Sequence, residues 1–228
     1  MIQLKIKNDE LEKIEPRTLC EEAWQEIASH FPDFKVLSKW QKLKRVAKDK
    51  DIFFEIYFQA NRYNNKDSVE FIPHIGIYSK SIKRVGINNG FIYGGDLGSL
   101  SSRKPHAWWQ LEGASYKYTV EEVSNLIKIH VIPIFNYFED TQANIDRILD
   151  GNCTSESLLY YIYYFGGKNK AQQYFNRILK ENKFKNKYIS FYESLKSMPL
   201  ENINLNYSEF SGAIMIKFAY LNGIEIEN

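Results

Sequence analysis

Two segments in the N-terminal half alternate apolar and polar residues with a period of two, the spacing of a strand buried on one face. In the run from Ile52 to Gln59, the even positions Ile52, Phe54, Ile56 and Phe58 form an inward row, and Glu55, Tyr57, Gln59 and Asn61 form an outward one. After the turn-rich stretch from Asn61 to Asp67, a second run sets Val69, Phe71, Ile75 and Ile77 on one face and Glu70, His74 and Tyr78 on the other. Paired as a hairpin, the two runs place their outward rows side by side, giving a polar and aromatic surface of Glu55, Tyr57, Gln59, His74 and Tyr78.

The remaining pattern frames that hairpin. Residues from Phe34 to Lys44 alternate without a cleanly apolar row, and their lysines suit a single edge strand, where charge discourages pairing with another chain. Gly90 to Asp96 and Ala107 to Leu111 read as two further short strands, joined by a loop from Leu97 to Pro105 that is expected to be a mobile flap. A capping box at Thr18 and Glu21 opens a first helix that Pro32 ends. A second box at Thr119 and Glu122 opens a long helix whose stripe runs through Val123, Ile127, Val131 and Phe138, kinked or restarted by Pro133. From Thr141 the apolar spacing is helical, ending in a helix from Ser208. The pattern therefore predicts an α+β fold. An antiparallel sheet of four to five strands packed by helices occupies residues 1–140, and a helical region occupies 141–228.

Composition adds little constraint. Aromatic residues make up 15% of the 228, which favours a dense core, a contact surface or both, and the formal charge of +2 neither forces nor forbids an acidic partner. No stretch approaches the ~20 apolar residues of a membrane-spanning helix, and Met1 to Lys5 lacks the apolar core of a signal peptide, so no membrane association and a cytoplasmic location are expected. Cys20 and Cys153 are too few for a disulfide framework and read as buried thiols.

No P-loop, HExxH, GxSxG or GxGxxG spacing occurs, and Gly94-Gly95-Asp96-Leu97-Gly98 lacks the Lys-Ser/Thr of a phosphate cradle. His30, His74, His106 and His130 show no metal-ligand spacing; no metal or cofactor is expected, and His130 reads as a core residue. His74 differs, since it joins the outward row beside Tyr57 and Gln59. Glu55 and Glu70 would approach one another across the hairpin, yet neither is followed by the lysine of a nuclease-like motif. Lys39, Lys42, Lys44 and Arg45 lie in a basic ribbon over 35–50, and a second basic run spans Lys168 to Lys187.

The stretch from Trp24 to about Phe138 resembles an uncharacterised bacterial family, DUF4304. The shared features are a leading helix, a basic strand from Phe34 to Val46, a strand ending in Gln59-Ala60-Asn61 and one ending in Gly76-Ile77-Tyr78. A covering helix closes on Ile134-Phe135-Asn136-Tyr137-Phe138-Glu139. This chain carries His74 where the family pattern has Asn. No activity attaches to the family, and its relatives sit in conflict and toxin-immunity neighbourhoods, so the resemblance implies stoichiometric binding and not turnover.

Three expectations follow. The leading one is a protein-binding module, immunity-like or part of a defence system, presenting Glu55, Tyr57, Gln59, Asn61, His74, Tyr78, Trp108 and Trp109 to a protein partner, because aromatic residues dominate interface hot spots. The second is a nucleic-acid binder using Lys39, Lys42, Lys44 and Arg45. The third is a hydrolase or nuclease-like enzyme centred on Glu55, Gln59 and His74.

Overall fold

A computed structural model describes residues 15–227 of the chain. The element order is α1 (Pro16–Ser29), β1 (Lys35–Leu37), β2 (Lys42–Val46), β3 (Ile52–Ala60), β4 (Glu70–Ser79), α2 (Lys80–Arg84), β5 (Phe91–Asp96), α3 (Leu97–Leu100), β6 (Trp109–Gln110), α4 (Ser115–Leu126) and α5 (Ile132–Tyr137). Five helices follow: α6 (Thr141–Asp150), α7 (Ser157–Gly166), α8 (Lys168–Glu181), α9 (Lys185–Leu195) and α10 (Ala213–Leu221).

The six strands form one antiparallel sheet in the order β1-β2-β3-β4-β5, with β6 on the stretch of β4 nearest its start. The expected hairpin is its centre: β3 and β4 pair over nine residues, from Ile52 opposite Ser79 to Ala60 opposite Phe71. The predicted single edge strand is instead a hairpin of its own. Ser38, Lys39 and Trp40 all adopt positive φ (52°, 49° and 68°) and reverse the chain, so Lys35 pairs with Lys44 and Leu37 with Lys42. Three consecutive left-handed non-glycine residues are uncommon and carry no Gly or Pro to announce the turn.

One face of the sheet is covered by α1, α4 and α5. Trp24 of α1 stacks on Phe58 at 6.1 Å between centroids, and Phe135 of α5 stacks on Phe54 at 4.7 Å. Both capping boxes fall inside helices. Helix α1 starts at Pro16, whose missing N–H sits where a helix has no use for one. Thr119 lies in the second turn of α4 and donates its hydroxyl to the Gln110 carbonyl, tying helix to sheet. Between α4 and α5 the chain takes one π-helical turn, Ile127–Val131, with helical dihedrals on both sides. The wider turn relieves the clash that the Pro133 ring would make with the preceding turn, so the rod continues past the proline.

The stretch expected to be a flap is tied down. Asp96 caps α3 by accepting from the Ser99 amide, its carboxylate also accepts from the His106 amide at 2.9 Å, and Leu97 and Gly98 are buried. The last helix starts at Ala213 and not at Ser208. Cys20 is buried, and burial pushes its thiol up to about 11; Cys153 is only half-buried, as is His130.

Helices α6 to α10 extend the core past the β5 edge of the sheet. Tyr93 of β5 stacks on Phe138, which in turn packs on Tyr161 of α7, and one continuous set of buried side chains runs from Cys20 to Ile224. The helical region and the sheet therefore share a single interior. No helix among the described residues is long and apolar enough to cross a membrane.

Candidate functional site

The face of the sheet opposite α1, α4 and α5 carries the outward rows of β2, β3 and β4. Register sets the neighbours: Lys42 and His74 flank Tyr57, and Lys44 and Gly76 flank Glu55. The Lys42 ammonium donates to Glu55 Oε2 at 3.1 Å and the Lys44 ammonium to Oε1 at 3.3 Å, so both carboxylate oxygens are engaged by cations. Lys44 Nζ also sits 3.7 Å above the centre of the Phe53 ring. The Tyr57 hydroxyl accepts from Gln41 Nε2 at 3.2 Å, leaving its own proton to give. Its ring lies over the His74 imidazole, with centroids 6.2 Å apart and an interplanar angle of 28°.

His74 Nε2 lies 2.9 Å from Gln59 Oε1, a contact the neutral imidazole makes as donor. Burial holds its pKa below the ordinary histidine value and the nearby His106 acts in the same direction, against the opposing pull of Asp96. Asp96 stands directly across from His74 on β5. Its own burial works to raise its pKa, but hydrogen bonds from the Ser99 hydroxyl and from the His106 and Ser99 amides outweigh that and hold the carboxyl below the ordinary range.

Tyr78 is wedged between Phe53, stacked at 5.2 Å, and Phe91, edge-on at 5.6 Å, and leans back along its strand over Gly76. Burial raises its pKa, with Glu55 adding to the effect. Beside Gly76 and the Tyr78 ring lies a depression of about 300 Å³, lined by Lys42, Glu55, Tyr57, His74, Gly76 and Tyr78. All the hydrogen-bond, ion-pair and ring partners found for Lys42, Glu55, Tyr57, Gln59, His74 and Tyr78 lie between Gln41 and Phe91. The helical C-terminal region packs elsewhere.

Several expected members are not part of this face. Glu70 sits six residues from the position opposite Glu55, about 20 Å along the strand, where Asn61 donates to its carboxylate. The two carboxylates therefore do not pair, and Asn61 marks the far end of the hairpin. Trp109 pairs with Phe71 and is 4% exposed, its ring filling the core, whereas Trp108 is 37% exposed and lies outside the depression. Arg45 is opposite Phe54 and points to the covered side. Its guanidinium lies over Phe34 and Phe54 and pairs with Glu139 at 3.2 Å, so it is withdrawn from the basic ribbon; Lys39 stays exposed in the β1–β2 turn.

Gln59 lies behind His74 and does not line the depression, which Glu55 and His74 do. The sequence pattern alone does not assign Gly76, Asp96 or His106 to this face. A lone glycine inside a strand pattern signals a close approach of side chain or backbone, and Asp96 followed by Ser99 is a helix-capping pattern, so both were detectable. Among the described residues no three His, Cys, Asp or Glu side chains are placed to hold a metal ion.

Residues 39–137 match the family model described as a domain of unknown function, DUF4304. The matched segment runs from the β1–β2 turn to the end of α5, so it contains the outer face from β2 to β5 and its supporting helices α4 and α5. It covers less than half of the 228 residues and stops before α6. Comparison with curated proteins and with solved structures gave no match.

Proposed function

We propose that the chain is a stoichiometric protein-binding module of the cytoplasm, immunity-like in the sense that it acts by occupying a partner, and that the outer face of β2–β3–β4 is its contact surface. The carrying observation is the pairing of a preformed depression at Gly76 with a basic rim: Lys35, Lys42 and Lys44 project on that face around the carboxylate of Glu55. Rings of Tyr57 and Tyr78, each already fixed by a stacked neighbour, lose little freedom on binding. Such anchors beside three lysines grouped around the Glu55 carboxylate suit an acidic protein segment.

The charge-reversal pair Lys42→Glu and Lys44→Glu tests the reading. Affinity-tagged wild-type protein expressed in its native cells retains one partner at fixed stoichiometry, and the double variant loses it while keeping the wild-type circular dichroism spectrum. Equal recovery by both proteins removes this face from the function. Recovery of nucleic acid in place of protein, with a steep salt dependence, transfers the lysines to the phosphate-binding reading.

A further inference from the structure

We infer that a second, distinct cavity at the junction of the sheet with the helical region binds a small monocarboxylate with an apolar chain or ring. The cavity holds about 230 Å³ between β5, α5, α6 and the start of α7. That is just below the ~300–1,000 Å³ of drug-sized sites, so it suits a compact molecule. Tyr93, Ile134, Phe138, Ile148 and Leu158 supply apolar walls.

The walls are held apart by design of the chain. Protein interiors normally close such gaps by relaxation, but the α6–α7 linker on one side of the cavity is pinned by Arg177. Its guanidinium donates to the carbonyls of Ile148 at 2.7 Å, Leu149 at 2.8 Å and Cys153 at 3.1 Å, and also to that of Gly151. With two carbonyls at the end of α6 and two in the linker held by one guanidinium, the linker does not fall inward, and the opening is preformed.

Two polar groups give the cavity a direction. Asn144 lines it while only 2% exposed, and the one side-chain hydrogen bond found for it among the described residues is a long 3.5 Å contact to the Tyr161 hydroxyl. A buried carboxamide so weakly engaged favours a ligand oxygen as its partner. Arg147 stands at the exposed mouth, its guanidinium stacked 4.1 Å above the Tyr137 ring, and no ion pair is found for it among the described residues. Stacking occupies the flat face of the guanidinium and leaves its N–H edges free for a carboxylate fork. An apolar body thus fits among the walls with its carboxylate turned toward Arg147.

Isothermal titration of the full chain with octanoate and with 4-phenylbutyrate tests this, with octanol and octylamine as matched controls. The carboxylates bind saturably with Kd of about 1 mM or tighter, and the controls bind at least about ten-fold more weakly. Arg147→Gln, on the surface and harmless to folding, removes that preference. Ile148→Phe, or Cys153→Phe should the first not fold, fills the cavity and abolishes binding. The inference is overturned if neither carboxylate binds, if octanol binds as well as octanoate, or if binding survives the filled cavity.

Discussion

Tyr78 lies so closely over Gly76 that a Cβ added to the glycine would come within 2.4 Å of Tyr78 Cε2. The ring cannot swing freely aside, because Phe53 and Phe91 hold it on two sides. Gly76→Ala therefore displaces Tyr78 and costs about 1–3 kcal/mol through overpacking, read as a fall in the urea midpoint. A variant as stable as wild type would show that the Tyr78 ring has somewhere else to go.

Arg45 and Lys44 are adjacent in sequence and opposite in role. Arg45→Ala removes the partner of a part-buried Glu139 and the cation stacked on Phe34 and Phe54, and is expected to cost about 2–4 kcal/mol. Lys44→Ala, on the open face, stays within about 1 kcal/mol. Equal effects in denaturant unfolding would contradict the assigned directions of the two side chains.

Much of this arrangement is legible before any coordinates, and the failures have physical causes. Strands β3 and β4 and their outward rows are read directly from alternation, because one face packs on Trp24 and Phe135 and must stay apolar. Arg45 shares the parity of Leu43 and so belongs on the covered side. Its charge argues for the surface, and the Glu139 carboxylate, 94 residues later in the chain, makes burial tolerable. The reversal at Ser38–Trp40 has no local signal, since polar and aromatic residues there bear a conformation usually left to glycine. Register placed Glu70 far from Glu55, and periodicity alone cannot supply register.

His74 has a folded pKa below that of the unfolded chain, so protonation disfavours the fold. Above pH ~6.5 the imidazole is neutral in both states and exacts no penalty; as pH falls from there toward the lowered folded value, the unfolded state binds the proton first and stability declines. NMR titration should place the His74 midpoint below 6.5, and His74→Asn should flatten stability across that window. A midpoint above 6.5 would contradict the burial of the ring against Tyr57 and Gln59.

Lys217, 3% exposed, donates to the carbonyls of Asn204 at 3.0 Å and Tyr207 at 2.9 Å and pairs with Glu209 at 2.7 Å, holding the segment before α10 against the helix. Lys217→Met leaves these acceptors unmatched. We expect a loss of about 2–4 kcal/mol and faster proteolysis between Asn204 and Glu209. Unchanged protection would mean that the segment is anchored by other contacts.

On the proposed reading the outer sheet face meets a partner while the helical face does not. A photo-crosslinking amino acid placed at Tyr57, 36% exposed on that face, and at Ile129, 64% exposed on the π-helical turn between α4 and α5, tests it in native cells. One discrete crosslinked protein is expected from position 57 and none from position 129. Crosslinks from position 57 to the chain's own helical region, or equal products from both positions, would contradict it.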